Sequence, residues 1–208
     1  MLIADEVMTG WGRTGQWFAI NHWNVSPDIL VTAKGVTSAM APLGVVGTSR
    51  AIADYFEDGW FAHGHTYESH PLTLAPAVAA IGEYQRLGLI ERSRTMGETV
   101  MGPRVRALAV KPPWVGDVRG LGMFCAVELV RDRATKEPIG TYHDKYACRP
   151  MQIESLTAEL MKRGVYAVGW MSHFVFAPPL VITEAELDEF FSILDEVLDL
   201  ADKALGLG

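Results

Sequence analysis

Two cysteines are all that the 208 residues contain, Cys125 and Cys148, and they form no C-x-x-C pair. That scarcity excludes a disulfide framework and leads us to expect a reducing, cytoplasmic setting. Long hydrophobic runs are missing as well. The best stretch, around Phe174 to Ile182, is broken by Pro178-Pro179, well short of the roughly 20 residues a membrane helix needs. Nothing at the N-terminus resembles a basic flank followed by a signal-peptide core. Basic residues are the minority charge, 18 against 25 acidic, for a net charge of −7. A nucleic-acid footprint is therefore not expected. Repeats and low-complexity segments are absent too. What is present is a globular balance of 49% apolar and 21% charged residues, with strand-like and helix-like segments in alternation. That pattern argues for α/β architecture.

The chain opens on Leu2-Ile3-Ala4, followed at once by Asp5-Glu6. A short apolar run ending in acidic residues reads as a buried parallel strand at its carboxyl edge. A strand of that kind needs neighbours on both sides, so the sequence is expected to be part of a longer protein. Further strands are expected at Ile29 to Thr32, Leu43 to Thr48, two within Val115 to Leu129, Val165 to Val168, and Phe174 to Ala177. Helices are expected at Trp17 to Trp23, Ser49 to Glu57, from Pro71 with interruptions near Gly88 and Gly102-Pro103, and at Ile153 to Lys162. Arg131 to Arg149 reads as an exposed loop. Thr183 with Glu186 forms a capping box. The helix it opens presents Leu187, Phe190, Phe191, Leu194, Val197, Leu198 and Ala201 on one face, and Asp188, Asp195, Glu196 and Asp199 on the other. Lys111-Pro112-Pro113 divides the chain into residues 1–110 and 111–208.

Three constellations bear on chemistry. Gly10-Trp11-Gly12-Arg13-Thr14-Gly15 formally matches G-x-G-x-x-G. A dinucleotide fingerprint needs a helix at the third glycine and an acid about 20 residues on. Asp28 comes too early and Trp11 is too bulky, so a tight structural turn is expected. His63, His65 and His70 are close in sequence but match no metal-ligand spacing, so no metal is expected. The third is Asp5 at the end of one strand with Lys34 just past the end of another. Ligands of open α/β sheets bind at such ends. A lysine and a carboxylate converging there meet the needs of pyridoxal phosphate, though taken alone a surface salt bridge between the strand ends explains them better.

The linked motifs tip that balance. Leu2-Ile3-Ala4-Asp5-Glu6-Val7-Met8-Thr9-Gly10-Trp11-Gly12-Arg13-Thr14-Gly15 resembles the signature of the class III (omega) aminotransferases, pyridoxal-phosphate enzymes of fold type I. Pro27-Asp28-Ile29, Ala33-Lys34-Gly35 and Pro42-Leu43-Gly44 resemble that family's lysine segment. His63-Gly64-His65-Thr66-Tyr67 with His70-Pro71 resembles its next motif. Asp117-Val118-Arg119-Gly120-Leu121-Gly122 and Ala177-Pro178-Pro179-Leu180 resemble its C-terminal lobe.

The resemblance implies an α/β pyridoxal-phosphate-dependent transferase fold. Residues 1–110 would be the C-terminal part of the large cofactor-binding domain with the interdomain helix, and 111–208 the small C-terminal α/β domain. It implies pyridoxal 5'-phosphate as cofactor, an amine or amino-acid donor, a keto-acid acceptor, and a homodimer. By the same resemblance Lys34 is the Schiff-base lysine and proton carrier, and Asp5 holds the ring nitrogen protonated. Val7 packs on the ring face, and Thr66 contacts the phosphate, usually that of the neighbouring subunit. Residues Val168 to His173 carry no arginine where many members have one, which suits an amine substrate. The resemblance leaves open a mutase, decarboxylase or racemase reaction on the same scaffold, or an inactive chain acting only as an interaction module.

Overall fold

The structure, a computed structural model, describes residues 1–110 and 114–205, with side chains described up to residue 200. The chain divides into two compact units, Met1–Arg94 and Thr95–Gly208. The expected boundary at Lys111-Pro112-Pro113, and the inward placement of the Ala201 side chain, lie outside the described residues.

The first unit is built on a three-stranded sheet in the order β1 (Ile3–Asp5), β2 (Ile29–Thr32), β3 (Val45–Thr48). β1 runs parallel to β2 with Ile3 opposite Ile29 and Asp5 opposite Val31. β3 is antiparallel to β2. Among the described residues β1 pairs with β2, and Ile3 is 58% exposed, in keeping with a strand whose burial calls for neighbours on both sides. Burial of such a strand depends on what lies across its second edge and faces, which its own composition does not report. The helix expected from Trp17 is a 3-10 turn, Ala19–Trp23, ended by Asn24 in the left-handed region. α1 (Arg50–Tyr55), α2 (Pro71–Arg86) and the start of α3 (Leu89–Met96) complete the unit. α2 begins on Pro71, with the His70 ring nitrogen Nδ1 accepting from the Leu72 N–H at 3.2 Å. Proline suits the first helical position because its missing N–H would have had no helical partner there.

In the second unit a π-helical turn, Gly97–Met101, leads into α4 (Gly102–Leu108). The interruption expected at Gly102-Pro103 is therefore a wider turn within a continuing helical path. Such a turn relieves the hydrogen bond that Pro103 cannot donate. An antiparallel sheet follows in the order β4 (Val115–Leu121), β5 (Phe124–Asp132), β8 (His173–Phe176), β7 (Val168–Trp170), with β6 (Glu137–Pro138) on β5. β7 starts three residues later than expected, since Val168 rather than Val165 begins the pairing with β8. Within the stretch read as a loop lies a short helix, α5 (Tyr142–Tyr146), held by a Thr141–Asp144 capping box. Its cap pattern is visible in the sequence, but five residues carry no periodicity.

α6 (Gln152–Lys162) packs against β7 and α7 (Glu184–Leu205). The α7 face is the one its sequence predicts: Leu187, Phe191, Leu194, Val197 and Leu198 are buried, and Asp188, Glu196 and Asp199 are exposed. Trp114, Leu129, Leu160 and Phe174 join this core with no accessible surface. Each such buried aliphatic or phenyl side chain contributes about 1.5–3 kcal/mol.

Candidate functional site

The carboxyl ends of β1 and β2 carry the two residues that the sequence singles out. Asp5 is the last residue of β1, and Lys34 follows Thr32, the last residue of β2, after Ala33. The parallel pairing of the two strands brings these ends to one edge of the sheet. Both residues are exposed. Asp5 Oδ1 accepts the Val7 N–H at 3.0 Å, which orients the carboxylate and leaves Oδ2 open. Among the described residues Lys34 Nζ has no hydrogen-bond or ion-pair partner, and it is not paired with Asp5. A salt bridge between the strand ends is thereby excluded as the reason these residues share an edge.

Lys34 opens a 3-10 turn, Lys34–Thr37, in the left-handed region at φ 47°. Ser38 and Ala39, at 52° and 62°, close the same turn in the same region. Tyr84, on α2, donates its hydroxyl to the Gly35 carbonyl at 2.8 Å. Burial pushes the Tyr84 phenol up, partly offset by a hydrogen bond with Ser38 and by the Arg13 charge. Burial also pushes the Arg13 guanidinium down.

The glycine-rich segment is a turn, as expected. Gly12 and Gly15 are left-handed, at 87° and 85°, and no helix opens at Gly15. Trp11 sits in it, also left-handed at 62°. Its indole Nε1 donates to Thr32 Oγ1 at 2.7 Å. Gly35 is required by this close approach, since a Cβ there would lie 2.8 Å from Trp11 Cβ.

Glu6, the residue that follows Asp5 and the end of β1, is 2% exposed. It accepts the Ala19 N–H at 2.9 Å, the Ile20 N–H at 2.7 Å, and the Thr9 hydroxyl. One acid of the pair thus holds the turn at Ala19–Trp23 and the other is open to a ligand. Sequence reading named Asp5 and missed the buried role of Glu6.

Val7 is half-buried beside Asp5. Thr66 lies in an exposed turn, where His65 N–H donates to Glu68 Oε2 at 3.2 Å and Glu68 N–H to the His65 carbonyl at 3.0 Å. The structure brings Asp5, Val7 and Lys34 to one sheet edge and does not bring Thr66 to them. His63 and His65 pack edge to face at 4.9 Å, while His70 caps α2. Among the described residues no three histidine, cysteine, aspartate or glutamate side chains are grouped to hold a metal.

The chain is similar to proteins of known family and structure. The family model described as Aminotransferase class-III matches residues 1–198. A taurine–pyruvate aminotransferase of Bilophila wadsworthia is 33% identical over 221 residues, covering 100% of this chain and 46% of that protein. An adenosylmethionine-8-amino-7-oxononanoate aminotransferase of Anoxybacillus flavithermus is 36% identical over 203 residues, covering 95% of this chain and 43% of its own length. Among solved structures, a taurine:2-oxoglutarate aminotransferase of Bifidobacterium kashiwanohense, in complex with PLP and glutamate, superposes with a TM-score of 0.91 at 36% identity. It covers 99% of this chain, which covers 45% of it. The chain therefore has the α/β fold of the matching stretch of those transaminases, and it spans less than half the length of these relatives.

Proposed function

Because this chain belongs to the class III aminotransferases, we propose that it is the lysine-bearing portion of an enzyme that moves an amino group from an amine or amino acid to a keto-acid acceptor. The observation that carries this reading is the open Asp5 carboxylate and the unpaired Lys34 ammonium at the ends of adjacent parallel strands. These residues fit pyridoxal 5'-phosphate, which needs one amine for its aldehyde and one acid for its ring nitrogen. When bound, the cofactor supplies an electron sink for the pair left behind when a proton leaves the substrate Cα.

Lys34 Nζ is the amine that would hold the cofactor by its aldehyde and, once displaced by the incoming amine, would carry the proton away from the substrate Cα. A base must be neutral at that moment. Asp5 keeps a proton on the ring nitrogen, with its Oδ1 oriented by the Val7 N–H. Val7 would pack on the ring face, and Thr66 would meet the phosphate held by the other subunit of a homodimer. Residues 1–110 belong to the large cofactor-binding domain and 111–208 to the small one. The free thiols Cys125 and Cys148 support a cytoplasmic setting, and among the described residues no helix is long and apolar enough to cross a membrane.

The test is titration with pyridoxal phosphate, borohydride reduction and mass mapping of the adduct. A stoichiometric adduct on Lys34, lost in Lys34→Ala, supports the reading; scattered labelling over several lysines overturns it. Stoichiometric conversion of a keto acid by a form of the same length as the relatives separates amino transfer from a mutase, decarboxylase or racemase reaction.

A further inference from the structure

We propose that Trp11 and Tyr84 are positioning residues that hold the Lys34 turn, and through it set where Lys34 Nζ stands relative to Asp5; this rests on the aminotransferase reading above. The turn carries three non-glycine residues in the left-handed region, Lys34, Ser38 and Ala39. Each is strained there by the clash of its Cβ with the backbone, and such conformations persist only where the surroundings enforce them. Two side chains from distant parts of the chain supply the enforcement, one on either side of the lysine.

On the carboxyl side, Tyr84 reaches from α2 to the carbonyl of Gly35, the residue after Lys34. On the amino side, the Trp11 indole binds the hydroxyl of Thr32, two residues before Lys34. Thr32 in turn donates to the Glu6 carbonyl at 3.3 Å, and the Glu6 N–H donates to the Val31 carbonyl at 2.7 Å. These bonds tie the residue following Asp5 to the end of the strand that leads into Lys34. Trp17 meets both holders edge to face, Trp11 at 6.3 Å and Tyr84 at 6.4 Å. Packing alone accounts for the three rings. It does not account for two polar atoms aimed at the backbone and side chain that bracket the lysine, nor for the left-handed backbone that Trp11 itself adopts.

Thr32→Val and Tyr84→Phe each remove a polar atom while keeping the bulk, Trp11→Phe removes the indole N–H together with part of the ring volume, and Tyr142→Phe, at an exposed tyrosine of the second unit, is the reference. The 208-residue chain and its variants are titrated with pyridoxal phosphate. The readouts are half-saturation, the pH midpoint of the lysine-linked absorbance, the borohydride adduct, and hydrogen exchange of the Ser38 and Ala39 amides, which donate to the Gly35 and Lys34 carbonyls. The adduct is expected to stay on Lys34. Half-saturation rises about threefold to tenfold per lost hydrogen bond, the pH midpoint shifts, and exchange quickens, with Tyr142→Phe unchanged. Variants that melt earlier but keep the half-saturation and pH midpoint, with the adduct still on Lys34, overturn the positioning role and leave the aminotransferase reading standing. Absence of a Lys34 adduct in the unsubstituted chain overturns both. Should Tyr84→Phe fail to fold, Trp11→Phe and Thr32→Val decide, with their circular dichroism matched to the parent.

Discussion

Asp5 and Glu6 show how far two like residues diverge once their surroundings differ. The Asp5 carboxylate keeps one oxygen free, while every oxygen of Glu6 is taken by a backbone or hydroxyl donor. Glu6→Gln replaces one acceptor by an amide NH2 that faces an N–H, leaving a buried donor unsatisfied. Charged hydrogen bonds of this kind are worth about 1.5–3 kcal/mol. We therefore expect Glu6→Gln to lower the unfolding free energy by about that amount, measured by urea denaturation. Asp5→Asn leaves stability nearly unchanged in the same experiment, because Asp5 is exposed. A larger loss at Asp5 than at Glu6 would contradict the division of roles.

Elements are stabilised mainly by the faces they bury, and α7 separates that contribution from its cap. Thr183 N–H donates to Glu186 Oε2 at 2.7 Å, and Glu186 N–H returns to Thr183 Oγ1 at 3.2 Å. Thr183→Ala should cost about 0.5–2 kcal/mol, and Leu194→Ala, at a 1% exposed core position, about 2–5 kcal/mol. Denaturant midpoints of the two variants check that order. The smaller helix α5 depends on its cap for lack of a buried face, since none of its residues is buried. Hydrogen bonds from Thr141, and then from Arg149, hold Asp144 down to about 2, against 3.8 for a free aspartate. A depressed carboxylate stabilises above its unfolded value and stops doing so as pH falls through its folded one. The α5 cap is thus expected intact above pH 4 and released between about pH 4 and 2, with Asp144→Asn abolishing the pH dependence. Amide exchange at Asp144, whose N–H the Thr141 hydroxyl accepts at 3.2 Å, reports it.

At the scale of the whole chain, apolar exposure is concentrated in the first unit. Ile3 and Val46 are 58% and 65% exposed on the sheet, and Trp60 and Tyr67 are 89% and 77% exposed in the segment that carries Thr66. Surfaces of this kind mark contact faces. The isolated 208-residue chain is accordingly expected to self-associate, its light-scattering mass rising with concentration; a constant mass near 22.9 kDa from micromolar upward would refute this. Periodicity and caps made much of the architecture legible in the sequence. The α7 face, the Thr183–Glu186 box and β2 are local patterns, and local patterns are written in neighbouring residues. Asp5 and Lys34 were legible as candidates for the same reason, each lying at the end of a recognisable strand, and linked motifs supplied the chemistry. Tertiary structure alone decided that β7 starts at Val168, and that Glu6 is buried while Asp5 is open. It also decided that Trp11 and Tyr84 bracket a lysine 23 and 50 residues away in the chain. Those facts rest on contacts between distant segments, and the free energy of such contacts depends on which surfaces meet, which the order of residues within one segment does not encode.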